Sequence, residues 1–405
     1  MKRFFMLLPF FFFSSLQGQE IIIKSLQVYS GTDQLSLPVA VTSNNSPRNI
    51  TIEFDINAEK EPNLVIEFRF CNIDWEPYEN LFLSNKGKNV SQTLWFDDIK
   101  TPHCNADFHY KGSFPNADIT FPFPGKWVFY IRDSMYKDEI FAQGCFFVVN
   151  STIPIKTKVT KELIDGPITT PVELGRIFSF DVNFSLPDSL FPSNVTAVEI
   201  IENRKYLSPV QLDRYTNGLH NFYTDGGHSF TFNAKDIHPG NGYRKLDITR
   251  ASYPDANAQY SGFETSGFNN FRQHDLVGGS IIMNYRSENA QYINVTFRLK
   301  APDNLKRKVF LTGAFTDWLV LPEYEMIKEE GFYTIDVELK RGEYDYSYVL
   351  GDIVNDEVEN IDWYSLEGNF WETDNDYHIF VYYLVSDYGG YNKIIGYKKI
   401  RSGNL

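Results

Sequence analysis

The stretch Asn49-Ile-Thr-Ile-Glu-Phe-Asp-Ile56 decides the fold. Ile50, Ile52, Phe54 and Ile56 alternate with Thr51, Glu53 and Asp55, a period of two that puts apolar groups on one face of a strand and polar groups on the other. The same rhythm returns along the chain. Phe178, Phe180, Val182 and Phe184 carry it in 176–184, Ile293, Val295, Phe297 and Leu299 in 291–300, and Tyr333, Ile335, Val337 and Leu339 in 332–340. Each segment predicts an antiparallel strand with one buried and one solvated face. No window of about a dozen residues holds an apolar stripe at helical spacing, so the expected class is all-β and sandwich-like.

Breaks in the rhythm suggest the organisation. Lys2 and Arg3 precede the apolar run Phe4–Phe13, a signal-peptide pattern, and cleavage is expected near Gly18. That run is shorter than the roughly 20 residues needed to span a bilayer, and no later segment is longer, so no direct membrane insertion is expected. Three sandwiches then follow: 19–152, 153–289 with a long irregular stretch over 251–278, and 290–405. Each is near the ~100 residues of an immunoglobulin-like domain.

Composition excludes more than it assigns. The 38 Lys and Arg face 52 Asp and Glu, and loss of the leader takes the formal charge from −14 to −16. That sign argues against nucleic acid and anionic lipid as partners. Cys71, Cys104 and Cys145 permit one disulfide in three ways, and free thiols fit equally well. The 25 Tyr and 35 Phe suit sheet cores, and tyrosine beyond core need also suits interfaces.

Motifs for catalysis or phosphate binding are missing, so no catalytic residue and no cofactor is assigned. His103, Cys104 and His109 cluster as candidate metal ligands, but no fourth ligand is spaced to complete the site. The acidic run from Asp352 to Asp376 fits no calcium-loop template and reads first as a solvated loop. Val309-Phe-Leu-Thr-Gly-Ala-Phe-Thr-Asp-Trp318 and the strand from Gly342 to Leu350 resemble early-Set immunoglobulin-like modules, including glycogen-binding ones. In those modules a glycan site needs exposed aromatic faces, for which Trp363 and Trp371 are the candidates. Fold likeness alone does not license such a site, and Trp318 is expected in the core.

A second resemblance covers the whole chain. Its residues are Phe68-Arg-Phe-Cys-Asn-Ile-Asp-Trp75, His109-Tyr-Lys-Gly-Ser-Phe-Pro115 and the strand from Pro124 to Asp133. Further along come Phe232 to Ile248 with its Pro239-Gly-Asn-Gly-Tyr-Arg-Lys-Leu-Asp247 core, then Gly313–Trp318, Glu367-Gly-Asn-Phe-Trp-Glu-Thr-Asp-Asn-Asp-Tyr377 onward to Tyr383, and Ile394-Ile-Gly-Tyr397. In order and spacing these resemble the plug proteins of the type IX secretion system. The resemblance implies a non-enzymatic periplasmic protein that covers the inner mouth of a large outer-membrane translocon barrel, its partner. For the docking surface the tyrosine-rich C-terminal region is the candidate: Tyr377, Tyr382, Tyr383, Tyr388 and Tyr391, with Trp363 and Trp371. Tyr382 and Tyr383 are adjacent, so they point to opposite faces of a strand and one of them is expected in the core. The competing reading is a secreted carbohydrate-binding protein or adhesin using the C-terminal module; a hydrolase drawing on the acidic run is the third.

Overall fold

The computed structural model describes residues 20–404 apart from 43–46, 85–89, 101–104, 137, 165–170, 215–220, 225–226, 251–262, 268–271 and 273. The expected leader therefore lies outside the described residues, as do His103 and Cys104.

The chain is all-β, and its described residues build four sheets stacked face to face with a fifth and sixth forming a separate sandwich. The first sheet holds Ile22–Ser30, Ile50–Asn57, Phe108–Phe114 and Asp97–Asp98; the second holds Val39–Val41, Ile140–Val149, Gly125–Asp133, Leu64–Cys71 and Ser91–Thr93. Ile50, Ile52, Phe54 and Ile56 meet Ile66, Phe68, Phe70, Trp127 and Phe146 across the seam between them. The alternation read from the sequence is thus the inner face of this first sandwich.

The third sheet joins Val210–Asp213 and Val195–Glu202 to Asp376–Val385 and Tyr391–Arg401, and the fourth joins Ile155–Leu163, Arg176–Ser185, Ser229–Ile237 and Asn221–Thr224. Phe178, Phe180, Val182, Phe230 and Phe232 pack against Val198, Ile200, Ile379 and Val381. Over its central strands, Val195–Glu202 and residues 376–383, the third sheet is covered on both faces. Its other side, with Ile201, Phe380 and Ile394, packs on Val128, Cys145, Phe147 and Val149 of the second sheet. Where one polar group had to enter this seam it is paired: Lys126 Nζ lies 2.8 Å from Glu199 Oε1, with both side chains 1% exposed. Tyr382 donates to the other Glu199 oxygen at 2.7 Å.

The remaining sandwich sits inside the chain path of the second. Its strands, from Arg244–Asp247 to Glu357–Asp362, fall between Ser229–Ile237 and Asp376–Val385, which both belong to the four-layer stack. The boundary expected near 289 therefore does not follow the sheets. Arg244–Asp247 and Ser280–Ile282 pair forward with Gly342–Val354, and Asp376–Val385 pairs back with Val195–Glu202. The period-two signal marks strands but carries no pairing information across 180 residues, which is why a sequential three-way division missed this nesting.

The inserted sandwich is fastened to the first sheet by a buried polar cluster. Asp55 accepts from Lys340 Nζ at 2.6 Å, from the Tyr292 hydroxyl at 2.8 Å, and meets His109 Nδ1 at 2.7 Å. Nε2 of His109 lies 3.4 Å from Glu53 Oε1, and the Tyr285 ring stacks on the imidazole at 3.8 Å. Asp55 and Lys340 read as solvent-facing in their strands; here each is covered by the other module. His109, a metal candidate in the sequence, is occupied in this network.

Cys71 and Cys145 are both free and buried. They flank Gly125–Asp133 on opposite sides, Cys71 opposite Lys126 and Cys145 opposite Val128, so two ladder spacings of ~4.8 Å separate their strands. That exceeds the ~7 Å reach of a disulfide. Cys104 lies outside the described residues.

Candidate partner interface

The tyrosine-rich hairpin Asp376–Val385 and Tyr391–Arg401 is mostly interior. Tyr377, Tyr382 and Tyr383 are 0%, 1% and 6% exposed and cannot present a docking face. Tyr382 and Tyr383 do point to opposite sides, but both are core, Tyr382 in the seam with the second sheet and Tyr383 in the seam with the fourth. The sequence reading assumed one solvated face for this strand; the sheet is sandwiched between two others. Trp371 packs on the core of the third and fourth sheets and donates Nε1 to the Ile177 carbonyl at 3.1 Å. Trp363 packs beside Trp318 and against the Phe310, Val320 and Val349 cluster, and the Lys205 ammonium sits 4.4 Å above its ring. Neither indole is a free platform. Trp318 is core, as expected, donating to Gly278 O at 2.8 Å.

What the hairpin does expose is its tip. Gly389 and Gly390 turn the chain at φ +87° and +100°, a region only glycine enters without strain, and Tyr388 stands beside them, 39% exposed. The first domain reaches this tip through the short helical turn Leu81–Ser84. Asn80 organises both pieces. Its Oδ1 accepts from the Phe82 amide at 2.8 Å, and its Nδ2 donates to the Tyr388 carbonyl at 2.6 Å. Phe82 and Tyr388 then stack with centroids 5.7 Å apart. Leu81 is 78% and Phe82 63% exposed, and Leu384 lies next to Gly390 at the same tip. Tyr391 faces inward, its ring against Phe70 and Phe123. The exposed apolar group is therefore Leu81, Phe82, Leu384 and Tyr388. Of these, only Tyr388 was expected; Leu81-Phe82-Leu83 is too short a run to carry either periodicity.

The family-like segments 232–248 and 367–383 meet at the junction where the chain enters and leaves the inserted sandwich. Glu367 Oε1 accepts from Arg244 Nε and from the Tyr348 amide, both at 2.9 Å, and Arg272 Nη2 lies 2.9 Å from Oε2. Burial opposes ionisation of this carboxyl, but the two guanidiniums outweigh it and hold it below its usual range. Asn203 donates to Asn375 at 2.9 Å and to Tyr243 at 3.0 Å, Asn375 donates to Pro239 O, and Asn369 accepts from the Gly240 amide at 2.8 Å. These polar residues look catalytic in composition, yet each satisfies buried backbone or a charge at a double crossover.

The acids of the 352–376 run are dispersed in the same way. Asp352 faces Arg307, Asp374 faces Arg401, and Asp376 faces Lys399. Among the described residues, no group of three or more His, Cys, Asp or Glu is arranged to hold a metal.

The comparisons with known proteins agree with this architecture. A solved structure described as a hypothetical protein from Parabacteroides merdae shares the fold, with a TM-score of 0.75 at 20% identity, covering 95% of this chain and 98% of that one. No curated protein matches. The family described as "Type 9 secretion system plug protein 1st domain" matches residues 23–150, the whole of the first sandwich. Residues 23–150 thus form a first domain of the type 9 secretion system plug kind, a match that supports a component of that system.

Proposed function

We propose that this protein is a non-enzymatic periplasmic cap that binds and seals the periplasmic opening of the outer-membrane translocon barrel of the type 9 secretion system. The observation that carries the reading is the first-domain family match. The architecture supports it. A pore wide enough for folded cargo has to be covered by something that does not deform, and four sheets stacked through three apolar seams form a densely packed body. The inserted module is held to the first sheet by the Asp55 cluster as well as by the buried polar junction at its crossover.

Docking is proposed through the hairpin tip, where Leu81, Phe82, Leu384 and Tyr388 make a compact aromatic and aliphatic patch of the kind that anchors protein interfaces. Extraction of envelopes in a mild detergent, followed by affinity isolation of this protein, tests the reading. A large outer-membrane barrel should co-purify, and its yield should fall with Phe82→Asp/Tyr388→Asp. Absence of any barrel from a preparation in which this protein stays folded would overturn it.

A further inference from the structure

A second surface lies away from the hairpin tip. The strand Ile155–Leu163 is an edge of the fourth sheet: it pairs along its nine residues with Arg176–Ser185, and no strand among the described residues covers its other side. Beside it runs Tyr391–Arg401, an edge of the third sheet, joined to it where Lys398 Nζ donates to Thr157 Oγ1 at 3.1 Å. Together these two edges carry Lys156, Lys158, Lys161, Lys393 and Lys398. None of the five is in an ion pair among the described residues, although the chain has formal charge −14; Lys399 and Arg401, further along Tyr391–Arg401, are paired with Asp376 and Asp374. The acid opposite Lys158 across the ladder, Asp181, accepts instead from Asn233 at 2.6 Å. The only acid on the edge strand itself is Glu162, near its far end.

We infer that this edge is a docking site for an extended acidic segment of a partner protein, added as a further strand to the fourth sheet. Two features favour a strand over other anions. Lys156 and Lys158 are two residues apart, so they repeat every ~7 Å along one face, the spacing of alternate side chains on a neighbouring strand. The open side of the ladder also offers a row of backbone donors and acceptors, which a peptide satisfies and a phosphate surface does not. Edge lysines also guard sheets against uncontrolled pairing; a guard needs charge only to repel, whereas a docking edge binds. This site goes beyond the cap reading and does not depend on it.

The test uses the full mature protein and a nine-residue synthetic peptide of alternating glutamate and threonine. Fluorescence anisotropy should show saturable, salt-sensitive binding. Lys156→Glu/Lys158→Glu, a change of two exposed side chains, should weaken it about tenfold or more. At saturation, hydrogen exchange of backbone amides in 155–163 should slow, which diffuse charge attraction would not produce. Binding unchanged in the double variant, or no protection of the strand, overturns the proposal. So does retention by phosphatidylglycerol vesicles without retention of the peptide, which would make the edge a membrane-facing surface. Failure of both probes to bind would leave the lysines as edge guards alone and also overturn it.

Discussion

Replacing Lys340 by methionine isolates the contact that fastens the inserted sandwich to the first domain. Lys340 and Asp55 side chains are 3% and 1% exposed, and their Nζ–Oδ2 distance is 2.6 Å. Removing one partner of such a pair leaves a buried charge and costs about 3–5 kcal/mol. Asp55 keeps His109 and Tyr292 after the change, so the cost should fall at the low end, about 3 kcal/mol. For a cooperative unit of this size each kcal/mol shifts Tm by roughly 2–4 °C, which gives a drop of roughly 6–12 °C. Calorimetry measures it, and a double-mutant cycle with Asp55→Asn should show strong coupling between the two sites. Lys328→Met is the internal control: Lys328 also faces an aspartate, Asp303, but that acid is 90% exposed, and Tm should not move measurably. Equal and small shifts for Lys340→Met and Lys328→Met would refute the claim that the Asp55 cluster fastens the two modules.

Further outcomes follow from the same geometry. Burial works against protonation of His109, but contacts with Asp55 and Glu53 outweigh it and raise its pKa. Its contribution is therefore complete below the unfolded value near 6.5 and is lost as pH rises through the higher folded value. Burial likewise opposes ionisation of Glu53, yet His109, Lys111 and Tyr29 bring it down to about 2, and Asp55 is lowered by His109 and Lys340. These acids stabilise above about pH 4.5 and lose that contribution as pH falls. Tm should peak between those limits, and His109→Gln should flatten the alkaline limb; an unchanged limb would count against a charged His109. Leu339→Asp, placing a charge at a 6% exposed core position, should unfold the inserted sandwich, whereas Glu338→Lys loses a half-exposed contact with Lys24 worth less than about 1 kcal/mol; circular dichroism melts distinguish them. Burial pushes the Cys71 thiol up to about 12 and raises Cys145 as well, so both should resist a thiol-specific reagent in the folded protein and react once it is denatured.

The strands themselves were legible because each apolar face obeys the period of two wherever its opposite face meets water, as with Ile50 to Ile56. The errors fall where a second module covers the other face. Asp55 and Lys340 have the sequence of solvated positions and are buried against each other. Tyr382 and Tyr383 both lie inside because the third sheet is covered on both sides, and a lone strand carries no sign of how many layers will cover it. The nesting of one sandwich in another was invisible for a related reason. It depends on Val195–Glu202 choosing Asp376–Val385 as a neighbour, a pairing set by cross-strand packing between segments far apart in sequence. The segments 232–248 and 367–383 were singled out through a family resemblance, and the structure supplies their physical purpose, a polar junction around Glu367, Asn203 and Asn375. At the candidate interface, Tyr388 was foreseen from composition. Its partner Phe82 was not, since a four-residue turn offers no periodicity to read.

Ion conductance through the purified outer-membrane barrel of the type 9 system, reconstituted in a planar bilayer with the protein added from the periplasmic side, bears most directly on the cap reading. Addition should bring the open-pore current close to zero, and Phe82→Asp/Tyr388→Asp should leave it open. A current that is unchanged while the protein is demonstrably bound to the barrel would contradict the account.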